Sequence, residues 1–110
     1  MSFTASRQAD VTLIRAAGQL TVNNRQDLKA LVAQRLEKGE RRFVLDFGET
    51  GYIDSSGLGA LVTLARQVRD QGGDLRLGGL NEDLRTLFEL TKLDTLFTIA
   101  PSASEALAGF

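Results

Sequence analysis

Apolar residues along this chain follow two patterns that alternate, short runs typical of strands and three- or four-residue spacings typical of helices. The strand-like runs are residues 11–18, 43–47, 74–78 and 96–99. A weaker run at Phe3 and Ala5 predicts a further strand, joined to the next one by a hairpin through residues 7–10. The sequence therefore predicts about five strands.

Helical spacing recurs in four segments of the chain. In the first segment the apolar positions are Leu28, Leu31, Val32 and Leu36. In the second, at about residues 55–71, they are Leu58, Leu61, Val62, Ala65 and Val68. In the third they are Leu84, Leu87 and Phe88, and the fourth is the short segment 104–108. Gly39 and Gly72 end the first two segments, and Asn81 and Ser102 are candidate N-caps of the last two. Because strands and helices alternate, we predict an α/β fold: a mixed, mostly parallel sheet of about five strands with about four helices packed on it.

The junction between the strand at 43–47 and the second helix is the most informative stretch. Residues 48–53 are predicted as a loop, and Asp54-Ser55-Ser56 as the capped start of the helix. The first N–H groups of a helix lack partners and the helix dipole is positive there, so a negative charge is stabilised at this position. A serine in this place is well suited to carry a phosphate.

The composition removes many functions. The chain of 110 residues has no cysteine and no histidine, which excludes thiolate and imidazole metal ligands and the commonest nucleophiles and bases. With 13 basic and 14 acidic side chains and no basic run longer than Arg41-Arg42, we expect no nucleic-acid binding. The first ten residues do not resemble a signal peptide and no apolar stretch could span a bilayer, so we expect a soluble, cytoplasmic protein without membrane insertion.

Two catalytic readings of the serine segment fail, and two non-catalytic readings remain. No Gly-Lys-Ser/Thr follows the glycines, and no Gly-x-Ser-x-Gly is present, so we expect no nucleotide loop, no hydrolase, no cofactor and no metal. Asp54, Ser55 and Ser56 could simply cap the helix while Gly57 and Gly59 allow it to approach the sheet. Alternatively, Ser55 is a substrate for another enzyme, with Asp54 orienting it or receiving its proton.

Three stretches carry a resemblance to a known family. They are Asp54-Ser-Ser-Gly-Leu-Gly with Leu45-Asp-Phe and Tyr52-Ile before it, Gly72-Gly-Asp-Leu-Arg-Leu, and Leu84-Arg-Thr-Leu-Phe-Glu-Leu-Thr-Lys-Leu. Together they resemble the STAS domain family, specifically the bacterial anti-sigma factor antagonists. The resemblance covers about residues 8–108, so we expect one STAS domain over residues 1–110.

The resemblance implies a protein that regulates transcription by partner switching and is not itself an enzyme. In such families the unphosphorylated antagonist binds a serine kinase that is also an anti-sigma factor, phosphorylation releases it, and a PP2C-type phosphatase resets it. The phosphorylated residue that carries over is Ser55. The residues expected to support the site or bind the partner are Asp54, Ser56, Gly57, Leu58, Gly59, Thr21 and Tyr52.

One departure from the family pattern favours an alternative. The family's second strand commonly runs into Gly-Glu-Leu-Asp, whose aspartate helps kinase recognition, whereas this chain has Gly18-Gln-Leu-Thr. A conventional kinase pocket would then phosphorylate a Thr21→Asp variant faster. The alternative function is a STAS subunit of a transporter or of a lipid-trafficking ABC complex, which binds another protein without being phosphorylated.

Overall fold

A computed structural model describes residues 2–110, except for the side chain of Ser2, and within them it contains five strands and four α-helices. In chain order the elements are β1 (Ser2–Gln8), β2 (Val11–Leu20), α1 (Arg25–Glu37), β3 (Arg42–Ile53), α2 (Ser55–Asp70), β4 (Asp74–Gly78), α3 (Glu82–Leu90), a 3-10 turn (Leu93–Thr95), β5 (Thr98–Ala100) and α4 (Ala103–Ala108). The strands form one sheet in the order β1-β2-β3-β4-β5. β1 is antiparallel to β2 and the other neighbours are parallel, which confirms the predicted mixed α/β sheet.

Two predicted loops continue as strand. β2 runs past Gly18 to Leu20, and residues 48–53 belong to β3, where they pair with β2 as far as Leu20 opposite Ile53. The prediction that these strands stop earlier was therefore wrong. Glycines and polar residues make the segments resemble loops, but two register shifts and the positive φ of Gly18 (106°) let the backbone ladder continue.

The last strand and the last helix also differ from their predicted limits. β5 is Thr98–Ala100 and so begins two residues later than predicted. Residues 93–95 before it form the 3-10 turn, and Leu96 is 57% exposed. The apolar residue in that run that does enter the core is Phe97, whose ring packs edge-to-face on Phe88 at 5.8 Å between centroids. α4 begins one residue early, at Ala103, with the Ser102 side chain accepting from the N–H of Glu105.

The core lies between the sheet and α1, α2 and α3, while α4 packs on a smaller apolar cluster around Val11, Leu13 and Val44. The buried face of α2 is Gly57, Ala60, Leu61, Leu64 and Val68. Leu61 and Val68 are buried as predicted, whereas Leu58, Val62 and Ala65 are half-buried and pack against the margin of the core. The burial of Gly57, Ala60 and Leu64 was not predicted. α2 contacts α1 as well as the sheet, so its apolar surface is wider than the strip that enters the core.

A charged cluster lies near the start of β3, at the end of the strand that is away from α2. Glu40 accepts a hydrogen bond from Thr12 and forms ion pairs with Arg7 (3.4 Å) and Arg35 (3.5 Å). Burial raises the pKa of Glu40, but the hydrogen bond from Thr12 and the two arginine charges outweigh it, so the pKa of this carboxyl is below its ordinary value. The carboxylate therefore stays ionised and ties β1, β2 and α1 together.

Between Ser2 and Phe110, no helix combines the length and the apolar character that crossing a bilayer requires.

Candidate phosphorylation and partner-binding site

The candidate site lies where β2 and β3 end side by side. Leu20 and Ile53 are register partners at these ends and both are buried, at 0% and 2% exposure. The next residue, Asp54, donates its backbone N–H to the carbonyl of Leu20 at 3.1 Å. The sheet thus fixes both the turn that follows β2 and the first residue of α2.

Asp54 is the N-cap of α2 and joins it to the β2–α1 turn. One carboxylate oxygen, Oδ1, accepts from the N–H of Gly57 at 2.7 Å, and the other, Oδ2, accepts from the N–H of Val22 at 3.2 Å. Hydrogen bonds from backbone N–H groups to a carboxylate cap are among the stronger ones that a helix start can make. The sequence predicted the cap, but nothing in it indicated the link to Val22.

Asp54 does not orient Ser55. No hydrogen bond joins their side chains in the part of the chain that the structure describes, and both carboxylate oxygens already accept from backbone groups. The structure thus shows no hydrogen bond by which Asp54 would orient the hydroxyl.

Ser55 is the accessible serine of the pair. It is the first residue of α2 and its side chain is exposed, whereas Ser56 is half-buried. The cap uses the N–H of Gly57 and leaves those of Ser55 and Ser56 without an acceptor among residues 2–110. An exposed hydroxyl thus sits beside free donors at the positive end of a helix of 16 residues.

Gly57 and Gly59 have different roles. A Cβ added at Gly57 would lie 2.6 Å from the carbonyl oxygen of Leu20 and 2.9 Å from Cγ2 of Ile53, so only glycine lets α2 approach the strand ends. A Cβ at Gly59 would meet no heavy atom within 4 Å outside its own stretch of helix, as far as the described residues extend. The prediction that glycine allows α2 to approach the sheet is therefore right for Gly57 and wrong for Gly59. At Gly59, one turn from Ser55, there is open space instead.

The β2–α1 turn forms the second side of the site. Asn24 holds it closed, because its side-chain nitrogen donates to the carbonyl of Gln19 at 2.7 Å and its Oδ1 accepts from the N–H of Thr21 at 2.9 Å. Thr21 is half-buried and its hydroxyl accepts from the N–H of Asn23 at 3.2 Å. Asn24 and Val22 were missed by the sequence reading, where they resemble ordinary loop residues.

The other predicted contact residues lie within a few positions of Ser55 along the chain. Tyr52 is 51% exposed near the end of β3, and Leu58 is half-buried one turn into α2. Val22 is 55% exposed on the adjoining turn. The structure therefore brings Thr21, Tyr52 and the residues of segment 54–59 to one edge of the sheet.

A mixed five-stranded sheet whose central helix starts at a capped and accessible serine is the arrangement of a STAS domain. The chain belongs to the STAS domain family, whose model matches residues 2–106. It is 38% identical over 93 residues to BtrV of Bordetella bronchiseptica, which is assigned as an anti-sigma factor antagonist; the match covers 84% of this chain and 80% of BtrV. It is 33% identical over 88 residues to the anti-sigma-B factor antagonist of Bacillus subtilis, covering 79% of each chain.

The fold is shared with a solved relative. The crystal structure of TM1081 from Thermotoga maritima, also assigned as an anti-sigma factor antagonist, superposes with a TM-score of 0.90 at 28% identity. The superposition covers 97% of this chain and 92% of that one. The relatives named here are all assigned as anti-sigma factor antagonists. The fold of TM1081 matches nearly the whole of this chain.

Proposed function

We propose that this protein is an anti-sigma factor antagonist that works by partner switching in the bacterial cytoplasm. Its unphosphorylated form binds a serine kinase that also acts as the anti-sigma factor, and phosphorylation of Ser55 releases that partner. A PP2C-type phosphatase then removes the phosphate. The names of BtrV and of the Bacillus subtilis relative support the antagonist role.

The observation that carries the proposal is the exposed hydroxyl of Ser55 at the first position of α2. In the reaction the kinase transfers the γ-phosphoryl group of ATP to Oγ of Ser55, ADP leaves, and the hydroxyl proton passes to a base on the kinase. Phosphorylation adds nearly two negative charges and three acceptor oxygens. The free N–H groups of Ser55 and Ser56 and the helix dipole offset that charge, so the fold tolerates it.

The same charge is unfavourable at a contact surface. A partner packed on the edge formed by Val22, Tyr52 and Ser55 would have to exclude water from the phosphate and leave it without a counter-ion. A loss of about 3 kcal/mol weakens a complex more than a hundredfold. The switch is therefore local and requires no refolding of the antagonist.

The alternative is a STAS subunit that binds a transporter component without phosphorylation. The neutral residues Gln19 and Thr21, where the family commonly has acids, favour it. The accessible Ser55, set apart from the half-buried Ser56, favours partner switching. The two functions differ in one outcome, because only partner switching requires a kinase that modifies this chain.

Reconstitution of the cycle from purified components tests the proposal. Each serine kinase of the anti-sigma type encoded in the same genome is mixed singly with this protein and ADP, and complex formation is followed by gel filtration. We expect one kinase to bind, ATP to dissociate the complex as phosphate is incorporated, and a PP2C-type phosphatase to restore it. A stable complex that survives full phosphorylation would contradict partner switching, and binding to none of the kinases would leave the transporter role favoured.

A further inference from the structure

The two chain segments that form the site around Ser55 carry almost no charge. Residues 18–24 contain no charged side chain, and residues 50–65 contain one, Asp54. The chain as a whole is 25% charged, so two segments of this combined length would hold about six charged residues at the average density. The charged residues that flank the two segments are Arg15, Arg25, Glu49 and Arg66.

The single carboxylate of this surface is already engaged. Both oxygens of Asp54 accept hydrogen bonds from backbone N–H groups, those of Gly57 and Val22. The two backbone N–H groups take up part of the acceptor capacity of this carboxylate, which reduces what it offers to a basic partner. Charge attraction is therefore a poor basis for recognition at this site.

Exposed apolar side chains offer another basis for recognition at this site. Within residues 2–110, four large apolar or aromatic side chains are more than half exposed: Val22 (55%), Tyr52 (51%), Leu90 (77%) and Leu96 (57%). Val22 lies on the β2–α1 turn, where its N–H is bonded to Asp54, the residue before Ser55. Tyr52 lies near the end of β3, three residues before Ser55, with Gln19 as its register partner. The other two lie in and after α3, a separate part of the surface.

The turn that presents Val22 is held rigidly. Asn24 closes it through Gln19 and Thr21, and Asp54 accepts from the N–H of Val22 itself. A preorganised contact residue loses little conformational entropy on binding, which raises its contribution to affinity. The position of Val22 relative to α2 is thus set before any partner arrives.

We infer that the partner meets this site with a neutral, apolar surface, and that Val22 and Tyr52 are the contact residues that select it. The inference rests on the proposed partner-switching function and specifies the chemistry of the partner's matching surface. It also explains the release step, because a phosphate on Ser55 would enter an apolar contact that supplies no positive charge. In this protein the partner recognises Val22, whereas the family commonly presents an acidic residue at position 21.

A pair of opposite charges at one position tests the inference. Val22→Glu and Val22→Lys are compared with the wild type for their Kd with the purified kinase and ADP, by calorimetry. Against an apolar surface both variants are expected to bind about tenfold more weakly or worse, as is Tyr52→Ala. Leu90→Glu and Leu90→Lys are the matched controls, since Leu90 is the more exposed residue, and their Kd is expected to stay within about twofold of the wild type.

Other outcomes would overturn the inference. If the glutamate and lysine variants of Val22 shift Kd in opposite directions, the partner surface is charged; if neither shifts it, Val22 is not a contact. A faster phosphorylation of Thr21→Asp would likewise indicate a basic pocket. Ser55→Asp in the same series distinguishes failure of this inference from failure of the proposed function. If Ser55→Asp binds the kinase normally, partner switching is wrong. If Ser55→Asp loses binding while the Val22 variants bind normally, only this inference is wrong.

Discussion

Replacement of Ser55 by aspartate is expected to lower the affinity for the kinase about a hundredfold or more, a loss of about 3 kcal/mol. The carboxylate adds a charge that the start of α2 stabilises internally and that an apolar partner surface does not. The thermal unfolding midpoint is therefore expected to change little. Calorimetric titration with the kinase and ADP measures the affinity, and differential scanning calorimetry measures the fold.

Two matched variants make this prediction specific to position and charge. Ser55→Ala removes the hydroxyl without adding charge and is expected to bind like the wild type. Ser56→Asp places the same charge one residue along, on a half-buried side chain, and is expected to perturb the fold more than the contact. Equal losses of affinity from Ser55→Ala and Ser55→Asp would show that the hydroxyl itself binds the partner, contrary to the account.

Gly57→Ala is expected to destabilise the protein by about 2 kcal/mol. The new methyl group would lie 2.6 Å from the carbonyl oxygen of Leu20, which is backbone and cannot rotate away. Overpacking of this kind typically costs about 1–3 kcal/mol. For a domain of this size the unfolding midpoint should fall by roughly 10 °C, measured by circular dichroism during heating.

Gly59→Ala is the matched control for this effect. It makes the same substitution two residues further along α2, where the added Cβ meets open space. The alanine should raise helix stability by up to about 1 kcal/mol, because glycine is unfavourable within helices. If Gly57→Ala were as stable as Gly59→Ala, the close approach of α2 to the strand ends would be wrong.

Much of this fold could be predicted because its elements carry local signals. The spacing of Leu28, Val32 and Leu36 defines α1, and Asn81 caps α3 as expected, accepting from the N–H of Leu84 at 2.8 Å. The junction of a strand and a helix indicated a serine suited to carry a phosphate, and the family resemblance selected Ser55, which is exposed. Local patterns suffice where the chain's own neighbours determine the structure.

The missed features depend on residues distant in sequence. Residues 48–53 resemble a loop because they include two glycines, and only pairing with β2 makes them strand. The bond from Val22 to Asp54 spans 32 positions, so no local pattern contains it. The burial of Leu64 was missed for the same reason, since α2 packs against both α1 and the sheet and its own spacing does not show which side is most buried.

Phosphate mapping by mass spectrometry tests the central claim most directly. This protein is incubated with its kinase and ATP, digested, and the modified residue is assigned from fragment ions, with Ser55→Ala and Ser56→Ala in parallel. We predict a single phosphate on Ser55 that persists in Ser56→Ala and disappears in Ser55→Ala. Phosphate on Ser56 alone, or on no serine of this site, would contradict the account.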